Sequence, residues 1–109
     1  MDEQPVTPDL VVTAGTDGDH TVLALRGELD AYTAPALDER VADLLARRRL
    51  DVVLDLSGTT FVDSSGLRTI LTAQRQLCES GGSLGLRQPS EPVRRLLEIT
   101  GLAGHFAAG

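Results

Sequence analysis

The sequence predicts one α/β domain: a mainly parallel central sheet of about four strands, helices packed against it, and a strand pair at the N-terminus. Three observations carry that expectation. Apolar strand-like runs alternate with helical stripes in the order strand, strand, helix, strand, helix, strand, helix, which implies right-handed crossovers. Each helical stripe is one-sided, so the helices should form a layer on the sheet. The run Val52-Val53-Leu54 is apolar on both faces, as a covered central strand requires.

Taken in order, residues 1–8 are polar with two prolines and read as a flexible leader, leaving 9–109 as the domain. Leu10-Val11-Val12 and Thr21 to Arg26 read as two strands, with turn-forming residues from Gly15 to His20 between them. Gly27 to Tyr32 reads as a loop. Thr33 is a candidate helix cap, with Pro35 in the first turn, where a missing N–H costs nothing. Leu37, Val41, Leu44 and Leu45 then recur at helical spacing. Asp51 to Leu56 is the third strand, and Thr59 to Asp63 a loop.

From Ser64 a second helix sets Leu67, Ile70, Leu71, Gln74, Leu77 and Cys78 on one side. Arg68, Thr69, Thr72, Arg75, Gln76 and Glu79 face the other way, and Gly81-Gly82 ends the helix. Ser83 to Leu86 is a short strand. Ser90 is placed to cap a third helix that buries Val93, Leu96 and Leu97, with Gly101 as its stop. Leu102 and Phe106 should fold the C-terminal end back onto the core.

The composition narrows the function. With 109 residues, 41% hydrophobic, 24% charged and 3% aromatic, the chain suits one aliphatic core. Net charge is −6 and every basic residue is arginine. Without a basic stripe such a chain is a poor nucleic-acid binder, since phosphate neutralisation supplies most of that affinity. Arg47-Arg48-Arg49 fits the solvated last turn of a helix. The single cysteine, Cys78, permits no internal disulfide and, on the apolar stripe, should be a buried thiol. No apolar run approaches the ~20 residues of a membrane span, and the acidic start is no secretion signal, so a cytoplasmic location is expected.

The most informative stretch is Asp63-Ser64-Ser65-Gly66-Leu67, between an apolar strand and a helix. Two hydroxyls sit where free backbone N–H groups and the positive end of the helix dipole accumulate. A serine there is either a cap or a seat for a phosphate. Serine hydrolysis fits poorly: Val62 and Gly66 flank Ser64, so the G-x-S-x-G elbow is absent, and the two histidines, His20 and His105, fall in a turn and near the C-terminus. Neither phosphate-loop fingerprint occurs. Glu28, Asp30, Asp55 and Asp63 have no spacing that demands a metal. No catalytic constellation emerges, so neither an enzyme nor a cofactor is expected.

These residues resemble the signature of the STAS domain, and more narrowly the free-standing bacterial anti-sigma factor antagonists. Gly27-Glu28-Leu29-Asp30 with Thr33-Ala34-Pro35-Ala36-Leu37 resembles that family's first strand-loop-helix junction. Gly81-Gly82-Ser83-Leu84 matches the turn into its late strand, and Val93 to Glu98 with Gly101-Leu102 and Phe106 its closing helix. The resemblance covers roughly residues 9–106.

It implies that Ser64, directly after the aspartate, is phosphorylated by a partner anti-sigma factor, a histidine-kinase-like ATPase acting on serine. It also implies that a metal-dependent serine phosphatase restores the unphosphorylated form, which binds the anti-sigma factor and frees the sigma factor. The implied partner surface gathers Asp30, Thr60, Asp63, Ser65, Gly66, Arg68 and Thr72 around Ser64. Arg68 is a departure, standing where many relatives carry a small residue. Two other readings stay open: a STAS subunit of a transport or stress-signalling assembly, and a small-ligand or nucleotide-binding module.

Overall fold

The computed structural model describes residues 2–7, 9–102 and 104–108, with side chains for 9–102 and 104–106. In chain order the elements are β1 (Asp2–Thr7), β2 (Leu10–Asp17), β3 (His20–Leu29), α1 (Ala34–Ala46), β4 (Asp51–Asp55), β5 (Thr59–Val62), α2 (Ser64–Glu79), β6 (Ser83–Arg87), α3 (Glu91–Thr100) and β7 (Ala107–Ala108). They build one seven-stranded sheet in the order β1-β2-β3-β4-β6-β7, with β5 off that path and paired to β3. β1/β2 and β2/β3 are antiparallel, whereas β3/β4, β4/β6 and β6/β7 are parallel. The expected centre, β2, β3, β4 and β6, is therefore present, and the sheet is extended at both ends.

Hydrophobic periodicity explains the centre. Leu10 and Val12 of β2 and Leu23 and Leu25 of β3 alternate into the core. In β4, Val52, Val53 and Leu54 are all buried, as a strand flanked on both sides requires. Leu37, Val41 and Leu44 of α1, Ile70 and Leu77 of α2, and Val93 and Leu97 of α3 close the same cluster, with Leu102 and Phe106 packed against it. α1 packs on α2, α2 on β6, and α3 on β5.

Several expectations need correction. Asp2–Thr7, read from the sequence as part of a leader, lies antiparallel along β2, with Asp2 opposite Ala14 and a register shift between Pro5 and Thr7. An unpaired β2 edge is a template for another strand, and an edge strand tolerates proline. The β2–β3 turn is shorter than expected, since pairing continues to Asp17 opposite His20. Leu29, expected in a loop, is the last residue of β3, and Thr59–Val62, also expected in a loop, is a strand.

The buried stripe of α2 is rotated from the expected one. Gly66, Leu67, Thr69, Ile70, Ala73 and Leu77 face inward, while Cys78 is exposed. Gly66 packs so closely on β3 that a Cβ there would overlap the Leu29 carbonyl oxygen, and this approach turns that face of the helix inward. Among the described residues no helix is long and apolar enough to cross a membrane.

Candidate functional site

The site begins with the way β3 takes two partners in succession on one edge. Thr21 to Ala24 pair with Val52 to Asp55 of β4, and Gly27 to Leu29 then pair with Thr59 to Val62 of β5. Between β4 and β5 the chain jogs outward. The Asp55 carboxylate accepts from Ser57 N (3.0 Å), and Thr59 N donates back to the Leu56 carbonyl (3.1 Å). Gly58 accepts from Gly27 N (3.1 Å).

Thr59 is fully buried, and its hydroxyl donates to the Leu25 carbonyl at 2.8 Å. The Ser90 hydroxyl donates to the Thr59 carbonyl, and Ser90 N donates to Leu56 (3.2 Å). Ser90 stands at the N-cap of α3 as expected, yet its hydroxyl is spent on this corner and makes no cap hydrogen bond. These bonds carry β5 past the end of β4 along β3.

The pairing ends with Asp63 N donating to the Leu29 carbonyl (3.3 Å). Asp63 is extended (φ −100°, ψ −173°), and its carboxylate accepts from Gly66 N at 2.8 Å. Asp63 is therefore the cap of α2, satisfying one of the free N–H groups. Either serine had been the candidate; the register set by β5 gives the position to the residue before them.

Ser64 thus becomes the first helical residue and is exposed, with no hydrogen bond from its hydroxyl among the described residues. Ser65 is half-buried. Gly66 is buried against β3, where a Cβ would overlap the Leu29 carbonyl oxygen. That lets the helix start pack tightly on β3.

Across from this helix start lies the turn after β3. Asp30 accepts through Oδ1 from Tyr32 N (2.9 Å) and Thr33 N (3.0 Å). Thr33, fully buried, donates its hydroxyl to the Glu28 carbonyl (2.8 Å) and accepts from Asp30 N (2.9 Å). Thr33 occupies the N-cap of α1 but its hydroxyl makes no cap bond; it fastens the turn to β3 instead.

The expected site residues fall into two groups. Asp30, Asp63, Ser64, Ser65 and Gly66 converge where β3 and β5 end, joined through Leu29. Arg68 is exposed one turn further along α2. Thr60 sits back on β5, exposed, donating to the Gly27 carbonyl (3.2 Å). Thr72 is half-buried and, eight residues on, ~12 Å along the helix from Ser64.

Two exposed aromatic residues were not anticipated: Tyr32, 72% exposed, on the Asp30 turn, and Phe61, 47% exposed, on β5, where it lines a groove with Pro92, Leu96 and Ile99. The β-branched and aromatic run Thr59-Thr60-Phe61-Val62 was the signal for the strand that presents Phe61.

Neither histidine joins the serine. His20 starts β3 at the far end, and the His105 carbonyl accepts from Gln74, ~15 Å along α2 from Ser64. Among the described residues no group of three or more His, Cys, Asp or Glu is placed to hold a metal ion.

The result is a mixed sheet whose third strand takes two parallel partners and leads into an aspartate-capped helix with an exposed serine at its first position. The chain belongs to the STAS family, in its branch of anti-sigma factor antagonists: the family described as "Mlab, STAS domain" matches residues 12–107. An anti-sigma-B factor antagonist of Bacillus subtilis is 37% identical over 78 residues, 72% of this chain and 71% of that protein. The crystal structure of an anti-sigma factor antagonist from Mycobacterium paratuberculosis superposes with a TM-score of 0.80 at 28% identity, covering 94% of this chain and 87% of that one. The Bacillus cell fate determinant SpoIIAA in its phosphorylated form shares the fold, with a TM-score of 0.70 at 21% identity over 90% of each chain.

Proposed function

We propose that this chain is a phosphorylation-switched antagonist, binding an anti-sigma factor through the Ser64 face when unphosphorylated and released when Ser64 is phosphorylated. The observation that carries the reading is the division of labour at the start of α2: Asp63 caps the helix, so the Ser64 hydroxyl is exposed and structurally idle. Supporting it are relatives named as anti-sigma factor antagonists and a structurally similar protein solved in a phosphorylated form.

In this reading the partner anti-sigma factor is a histidine-kinase-like ATPase that supplies ATP. Ser64 Oγ forms the new bond to the γ-phosphorus as the bond from that phosphorus to the ADP oxygen breaks, and the hydroxyl proton passes to a base of the kinase. A metal-dependent serine phosphatase hydrolyses the ester and resets the switch. The chain itself is the substrate and the signal.

The phosphate brings about −1.5 to −2 charges. A desolvated contact cannot accept such a group unpaired without a cost of several kcal/mol. A loss of ~3–4 kcal/mol weakens binding by two to three decades, enough to switch partners.

The test is phosphopeptide mapping after incubation with ATP and host lysate, beside an active-kinase control. Trypsin releases Leu50 to Arg68 as one peptide, and a single phosphoryl group on Ser64, lost in Ser64→Ala, is the expected result. An unmodified peptide would overturn the reading in favour of a constitutive STAS subunit of a larger assembly.

A further inference from the structure

We propose that Arg68 is the internal partner of the phosphate on Ser64, an arginine one turn along α2 that clasps the modified serine and leaves the protein's outward face when it does so. This rests on the reading of Ser64 as the modified residue.

The pair has the right spacing. Residues four apart on a helix have Cβ atoms ~5–6 Å apart on one face. Long helical side chains lean toward the N-terminus, so the surface that Arg68 covers lies over the turn that begins with Ser64. Both residues are exposed, and Gly66, Leu67, Thr69 and Ile70 between and beyond them are buried. The two therefore share the outer face of the helix.

Arg68 also lacks a competing partner. Arg47, Arg87, Arg94 and Arg95 each lie within 4.0 Å of a carboxylate, whereas Arg68 makes no ion pair among the described residues. The first turn of α2 carries no acidic side chain. The positions three and four residues from Arg68 are Ser64, Ser65, Leu71 and Thr72, so its own helix offers it no anion. Phosphorylation of Ser64 would create one.

The chemistry suits the geometry. A guanidinium presents a planar fork of N–H donors that meets a phosphate through two hydrogen bonds. It is needed here because the Asp63 carboxylate is held beside Ser64 by its bond to Gly66 N and repels a dianion. Phosphorylation then changes two residues of the partner face together: a neutral hydroxyl becomes an anion, and a free cation is drawn onto it.

The experiment uses the full chain with phosphoserine inserted at position 64 during translation, so no kinase is required. The second ionisation of the phosphate is followed by phosphorus NMR in the native background and in Arg68→Gln, Arg68→Lys and Arg75→Gln. In Arg68→Gln the midpoint should rise by about 0.3 to 0.6 of a pH unit, because a neighbouring cation favours the dianion. Arg68→Lys should retain part of the effect. Arg75→Gln, an exposed arginine two turns further on, should leave the midpoint unchanged.

The difference between native and Arg68→Gln should also shrink at ~1 M salt, where the screening length is about 3 Å. Equal midpoints for the native and Arg68→Gln chains would overturn the proposal, as would an equal rise in Arg75→Gln. Failure of host kinases to label Ser64 would overturn the functional reading and leave this titration to stand or fall alone.

Discussion

At the residue scale, the start of α2 assigns three different tasks to three neighbours, and their stabilities should rank accordingly. Asp63→Ala removes the cap from Gly66 N and should cost ~1 kcal/mol. Ser64→Ala removes a hydroxyl with no partner among the described residues and should stay within about 0.5 kcal/mol of the native chain. Gly66→Ala forces a methyl into the Leu29 carbonyl and should be the most damaging, about 1–3 kcal/mol. Urea denaturation of the three variants checks the order, and a Ser64→Ala loss as large as that of Asp63→Ala would contradict it. The sequence offered a serine here as either a cap or a phosphate seat and did not single out Asp63, although Asp is as good a cap former as Ser. The choice is made by tertiary pairing: Asp63 N is the last group bonded to β3, so the helix starts one residue later.

The element scale shows where sequence pattern runs out. Long periodic segments were legible: α1, α2 and α3, and the strands β2, β3, β4 and β6. β5 was not, because a strand of four residues held by partners some thirty positions earlier leaves little local periodicity. The orientation of α2 was legible only in part, since the close approach of Gly66 to Leu29 goes with Thr69 turned inward and Cys78 outward.

α3 carries a prediction at this scale. The Arg94 guanidinium hydrogen-bonds Glu91 at 2.6 Å and, by that bond first and its charge second, holds the Glu91 carboxyl below the usual glutamate value, with Arg95 adding a little. A carboxyl lowered by folding stabilises the helix above its unfolded value, and that contribution is lost as the pH falls through the folded one. Both groups are at the surface, so the effect on global stability should be slight. Carboxyl-detected NMR should find Glu91 titrating low in the native chain and returning to the ordinary range in Arg94→Ala. An unchanged midpoint in that variant would show that Arg94 is not the cause.

For the whole molecule, the question is how the proposed phosphorylation at one edge could switch binding without disturbing the fold. Ser64 lies on the outer face of α2, beyond the ends of β3 and β5, and the core cluster contains neither it nor Arg68. The local terms oppose one another: the helix dipole favours a phosphate by about 0.3–1 kcal/mol, while Asp63 disfavours it. Because β5, Asp63 and the Asp30 turn are fixed to β3 by backbone and buried hydroxyl bonds, the phosphate has no loosely held element to displace. Phosphoserine at position 64 should therefore shift the melting temperature by less than about 6 °C, the equivalent of roughly 1 kcal/mol for a domain of this size. Amide shifts should be confined to the Leu29–Thr33 turn, β5 and the first two turns of α2. Perturbation extending into β2 or β6, or a larger loss of melting temperature, would mean that the switch acts by remodelling the domain. Spectra confined to the edge, together with lost binding to the partner, would place the switch in the interface.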